Sequence, residues 1–168
     1  FENFNKKNGV AENRVTSSCI DKNGNIWFGH WSGGITKYSP LSKTFHEVIP
    51  TGIELKKTVN CIYEDRDGKV WMGTNGSGLL KYEPSAGELK GDTAKETGKF
   101  SLLTKKEGLS NDFVTAIVQD KAGLMWVGTE SGITKINTEG KLELYNTSNG
   151  LPSNFVSSLM IDHDNNIW

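Results

Sequence analysis

Histidine, aspartate and tryptophan are the residues of this chain whose types and spacing could do chemistry. The histidines are His30, His46 and His163. They lie in separate segments, with no metal-ligand spacing and no serine–carboxylate company, so neither a metal site nor a nucleophilic triad is expected. Cys19 and Cys61 lack the C-x-x-C spacing of a metal or redox site. They read as two small buried strand residues, with a disulfide between them as the alternative. Asp21, Asp65, Asp120 and Asp162 each stand six residues before a tryptophan: Trp27, Trp71, Trp126 and Trp168. A carboxylate that recurs in this way is a poor candidate for acid–base work, because an active site occurs once. At the start of a turn it accepts backbone N–H groups instead. The recurring tryptophans read likewise as packing residues, since large aromatic side chains dominate buried contacts.

The elements that hold these residues follow from their register. The tryptophans are 44, 55 and 42 residues apart. Three residues before each stands Gly24, Gly68, Gly123 or Asn165, and twelve before stands Val15, Val59, Val114 or Val156. Twenty-six before stands Phe1, Phe45, Phe100 or Leu142. Each copy therefore contains a first strand opening at the valine, with Val15/Ser17/Cys19, Val59/Cys61/Tyr63, Val114/Ala116/Val118 and Val156/Ser158/Met160 as its inward set. A tight Asp-x-x-Gly turn comes next, then a second strand carrying the tryptophan. A third strand follows at 35–38, 79–82 and 133–136, and a short fourth begins at the Phe45 position. Repeated units of four short antiparallel strands are the sequence form of β-propeller blades. The fold class is all-β: a β-propeller fragment of about three to three and a half four-stranded blades from a larger ring. The units are 1–44, 45–99 with an insertion at 84–98, 100–141 and a truncated 142–168, together a partial propeller over 1–168.

Composition excludes several functions. No run approaches the ~20 apolar residues of a membrane-spanning helix, and no basic-then-apolar leader opens the sequence. Nineteen basic against twenty acidic residues give a net charge of −1, without the concentrated positive field that nucleic acid requires. With the tryptophan context assigned to packing, function belongs where the copies disagree on a loop. The loops between second and third strands read His30-Trp31-Ser32-Gly33, Thr74-Asn75-Gly76-Ser77 and Thr129-Glu130-Ser131. In a propeller they share one rim with the loops leading into the first strand. Trp31 is the one tryptophan outside the repeat, and a loop tryptophan can stack on the apolar face of a sugar ring. Asn75 and Glu130 would then hydrogen-bond hydroxyls. His30, Arg14 and Asp112 complete the candidate ligand-binding set, with packing and turn capping as their alternative roles. No catalytic residue, metal ligand or cofactor is assigned.

The run Gly108-Leu109-Ser110-Asn111-Asp112-Phe113-Val114 returns as Gly150-Leu151-Pro152-Ser153-Asn154-Phe155-Val156. With Asp120, Gly123, Trp126-Val127-Gly128-Thr129 and Gly132-Ile133 it resembles the two-component regulator propeller repeat. Copies one and two depart from that run before their first strands, where Gly-Leu is absent. The resemblance implies seven-bladed propellers that form the extracytoplasmic sensor domains of hybrid histidine kinases, so the location expected is the periplasm. It further implies a non-enzymatic segment that detects a carbohydrate and regulates polysaccharide utilisation. The partners expected are an oligosaccharide or monosaccharide, the missing blades of the parent propeller, and a second subunit in a homodimer. A competing enzymatic resemblance lies in Gly24-Asn25-Ile26-Trp27-Phe28, which is similar to the blade motif of streptogramin lyases. Such a lyase would need a base on the rim, where His30 is the histidine available, and a divalent cation. A propeller scaffold that binds a protein partner is the third reading.

Overall fold

Short runs of β-branched and aromatic residues, each closed by a turn, favour strands over helices throughout the chain. The computed structural model describes residues 3–85 and 98–168. Phe1, expected to begin a fourth strand, and most of the 84–98 insertion lie outside the described residues. Among the described residues there are twelve strands: β1 Val15–Ile20, β2 Ile26–His30, β3 Ile35–Ser39, β4 Thr44–Val48, β5 Val59–Glu64, β6 Val70–Thr74, β7 Leu79–Glu83, β8 Lys99–Leu103, β9 Val114–Gln119, β10 Met125–Thr129, β11 Gly132–Ile136 and β12 Leu142–Tyr145. They form three antiparallel four-stranded sheets, β1-β2-β3-β4, β5-β6-β7-β8 and β9-β10-β11-β12. Single 3-10 turns at Lys6–Asn8 and Lys105–Glu107 precede the first and third sheets. The three sheets are blades of a propeller. Because the sequence units were counted from the outer strand, each begins with the last strand of the preceding sheet.

In the fourth copy the hairpin tip is paired. Ile161 bridges Ile167, and Met160 and Trp168 exchange backbone hydrogen bonds of 3.0 and 2.8 Å. Val156 and Ser158 lie in no strand.

The core lies between the sheets. Trp27, Ile35 and Val48 of the first sheet pack with Val59, Ile62, Val70, Met72, Leu80 and Tyr82 of the second. Trp71 and Leu79 pack in turn with Leu109, Val114, Ile117, Met125, Val127 and Ile136. The middle sheet is thus apolar on both faces, and every residue of β6 is buried.

The first strands depart from the alternation expected of them. A register shift separates Val15 from Ser17 and Val59 from Cys61, and one falls opposite Val114 and Ala116. One extra residue (Thr16, Asn60 or Thr115) is therefore inserted after each valine, a β-bulge that changes which face the following residues present. Val59 and Ile62 consequently face the first sheet, whereas Cys61 and Tyr63 pack toward the third. The expected single inward set of valine, small residue and third residue is corrected by this bulge. The inserted side chains tie neighbouring sheets together. Thr16 Oγ1 donates to Val59 O at 2.7 Å, Asn60 Nδ2 to Val114 O at 2.9 Å, and Thr115 Oγ1 to Val156 O at 2.6 Å.

Candidate functional site

Each aspartate of the repeat is anchored in its own hairpin. Asp65 Oδ1 accepts the N–H groups of Asp67 and Lys69 at 3.0 and 2.9 Å, and its Oδ2 accepts the Trp71 indole N–H at 2.7 Å. Asp21, Asp120 and Asp162 make the same three contacts with their hairpins and with Trp27, Trp126 and Trp168. Indole and amide donors hold the Asp162 carboxyl down to about 2, with the Trp168 N–H as the principal cause. The turn position three residues after the aspartate is left-handed in every copy, and Asn165 serves there at φ 70° where the others use glycine. These carboxylates hold indoles and turn amides.

The rim loops are built alike. The backbone N–H groups of Trp31, Asn75 and Glu130 donate to the carbonyls of Arg14, Thr58 and Phe113 at 3.1, 2.9 and 3.1 Å. Trp31, Asn75 and Glu130 therefore hold equivalent, exposed positions on consecutive blades. Asp112 acts on the framework: its Oδ1 accepts the Lys105 N–H at 2.7 Å, and its carbonyl accepts from Gly76 and Gly78. Asn13 and Asn154 do the same for Lys6 and Thr147.

Blade one is individual in two respects. Trp31 is 48% exposed, and the Arg14 guanidinium lies over its ring with Cζ 3.6 Å from the centroid. The loop is fixed from both sides, by Ser32 N–H donating to Glu12 Oε2 at 2.8 Å and by Thr58 Oγ1 donating to Trp31 O at 2.6 Å. Beneath it, His30 is fully buried and its Nε2 meets Thr36 Oγ1 at 2.8 Å. Blade three fills the same place with hydroxyls: Ser110 Oγ bonds both Thr129 Oγ1 and Thr134 Oγ1 at 2.9 Å. Ala11 stands where Ser110 would, and its N–H reaches Thr36 Oγ1 as that of Ser110 reaches Thr134 Oγ1. The imidazole thus spans the gap left by the missing serine hydroxyl. Burial holds the His30 ring below its ordinary value, so it is neutral near pH 7. His30 does not present its ring on the rim, contrary to the sequence expectation, because it occupies the threonine position of the packed strand. Arg14 stands on the rim as expected, but neither its stacking on Trp31 nor the tie from Glu12 carried a sequence signal.

The family model for the two component regulator propeller matches residues 9–32, 55–76, 108–131 and 150–168, more than half of the chain. The chain belongs to this family. The matched segments run from the loop leading into each first strand to the rim loop after the second, or to the end of the chain in the last copy. No curated protein matches the chain. Among solved structures, the extracellular domain of a hybrid two-component system from B. thetaiotaomicron is 28% identical with a TM-score of 0.77. That match covers 99% of this chain and 22% of the other, so this propeller section spans about a fifth of that domain. PorZ of Porphyromonas gingivalis, a surface component of the type-IX secretion system, is 18% identical with a TM-score of 0.68, covering 95% of this chain and 25% of that one. Virginiamycin B lyase from Staphylococcus aureus is 19% identical with a TM-score of 0.66, covering 92% of this chain and 48% of the lyase. The last two likenesses speak for the fold alone.

Proposed function

We propose that this chain is a section of the periplasmic ligand-sensing propeller of a hybrid two-component histidine kinase, detecting a carbohydrate and regulating polysaccharide utilisation. The observation that carries the reading is Trp31, a half-exposed rim tryptophan on a family scaffold whose other tryptophans serve the hairpins. Asn75 and Glu130, exposed at the equivalent positions of the next two blades, supply hydrogen-bonding groups along the same rim. The B. thetaiotaomicron relative is an extracellular domain of such a system, which supports the extracytoplasmic location. The ring would be completed by further blades of the parent protein, and two subunits would pair across the membrane. Signalling then follows from ligand affinity that differs between two arrangements of that pair. A lyase would draw its base from a rim histidine; His30 is buried and bonded to Thr36, which favours the sensor.

Calorimetric titration of the intact parent protein with a panel of monosaccharides and oligosaccharides tests this reading. Saturable heat with one glycan is expected, and Trp31→Ala weakens it at least tenfold while the melting temperature holds. Absence of heat across a broad panel overturns the carbohydrate reading. Unchanged binding with a large fall in melting temperature makes Trp31 a packing residue.

A further inference from the structure

The rim of blade one carries more chemistry than a neutral sugar requires. Arg14 is exposed and stacked on Trp31, and no carboxylate among the described residues lies within ion-pair distance of its guanidinium. The guanidinium over the ring carries its N–H donors as a planar fork. That fork is pre-organised for two parallel bonds to a carboxylate. Lys57 is also exposed and without an ion-pair partner among the described residues, and it adjoins Thr58, whose hydroxyl holds the Trp31 carbonyl. Two acidic side chains of these loops have partners. Glu12 accepts the Ser32 N–H, as a tie for the loop, and Glu54 pairs with Lys56 at 2.6 Å. Blade three shows that the tie belongs to the framework: Asn111 Nδ2 holds Ser131 Oγ at 2.7 Å in the corresponding place. Arg14 is therefore a free cation on a half-exposed aromatic ring, with an exposed lysine on the adjoining loop. Blades two and three have Thr58 and Phe113 where Arg14 stands, so the arrangement belongs to blade one.

We infer that the Arg14–Trp31 stack recognises a carboxylate-bearing sugar: a hexuronate unit or an oligomer that contains one. The inference rests on the rim being a saccharide site, and narrows the ligand to the acidic class. Arg14 takes the carboxylate through its fork, and the uncovered part of the indole meets the ring.

The test titrates the intact parent protein with glucuronic acid, galacturonic acid and their oligomers, beside glucose, galactose and neutral oligomers of the same length. The acidic sugars are expected to bind at least tenfold tighter than the neutral ones, and to weaken as salt is raised. Arg14→Gln removes that preference, with a loss of about tenfold or more for the acidic sugars alone. Arg14→Lys keeps the charge without the fork and restores only part of it. Should Arg14→Gln fold poorly, the Arg14→Lys result and the salt dependence of the unmutated protein decide the question. Neutral sugars binding as well as acidic ones would overturn the acidic class and leave the saccharide reading standing. No binding by either kind would overturn both.

Discussion

Asp65 shows how much one side chain contributes within a single hairpin. Its carboxylate satisfies two turn amides and a nearly buried indole, and Asp65 itself is 6% exposed. Asp65→Ala strands those donors where water cannot replace the oxygen, so it should cost roughly 2–4 kcal/mol. Chemical denaturation of the intact parent protein measures this; a cost below about 0.5 kcal/mol would mean that the turn forms without the carboxylate. The spacing of aspartate and tryptophan was legible because periodic contacts leave periodic residues. Trp31 was legible for the opposite reason, as a tryptophan out of period. Arg14 was legible only as a residue on the same rim. Its stacking on a ring 17 positions away depends on how the loop after β2 folds back over the strand before it. The burial of His30 was hidden as well. It follows from the exchange of Ser110 and Thr129 for Ala11 and His30 between blades, and such an exchange has meaning only when the strands are paired.

Among the elements, the first strand of each blade does the joining. Its bulge turns Thr16, Asn60 and Thr115 toward the valine carbonyl of the next copy, while that valine's side chain seats on a glycine of the preceding sheet. A Cβ added at Gly29 would lie 2.6 Å from Val59 Cγ1; at Gly73 it would lie 2.5 Å from Val114 Cγ1, and at Gly128 2.8 Å from Val156 Cγ1. The glycine two residues after Trp27, Trp71 and Trp126 is thus a seat for the next copy, apart from any turn. Gly73→Ala forces the second and third sheets apart and should destabilise the protein by about 1–3 kcal/mol. Val114→Ala made in the same protein should recover part of that loss, although Cys61 Sγ, 2.5 Å from the same Cβ, limits the recovery. A double-mutant cycle reads the coupling, and strictly additive effects would show that the valine does not meet the glycine. Four strands per copy, their order and their turns could be read from alternation and turn residues. The bulge could not, because one inserted residue leaves the composition of the strand unchanged and alters only the face that later residues occupy. Alternation alone puts Cys61 and Tyr63 on the face of Val59, whereas they pack on the other.

At the scale of the whole molecule, each core joins only neighbouring sheets, so stability is close to a sum of successive interfaces, as in other repeat folds. Besides its apolar core, each interface has a polar stitch at the end opposite the rim. The N–H of Lys22 donates to Glu64 Oε2 at 2.7 Å, and that of Arg66 to Gln119 Oε1 at 3.0 Å. The two acceptors hold the same register position, one charged and one neutral. Burial raises the Glu64 carboxyl above its ordinary 4.5; the Asp21 and Asp65 charges add to this, and the Lys22 N–H opposes it. A carboxyl raised on folding favours the folded state when protonated, and that stabilisation disappears as pH climbs through the raised value. Ionised Glu64 is therefore a cost to the first interface at neutral pH, one that the second interface avoids with Gln119. Glu64→Gln keeps the acceptor and removes the charge, so it should raise the melting temperature of the intact parent protein by roughly 1–3 °C at pH 7. The gain should vanish below about pH 4.5, where Glu64 in the unmutated protein carries its proton. Melting curves at pH 4 and pH 7 decide the matter. A lower melting temperature at pH 7 would show that the charged acceptor strengthens its bond to Lys22 by more than its burial costs. The stitch of the first interface would then be the stronger of the two.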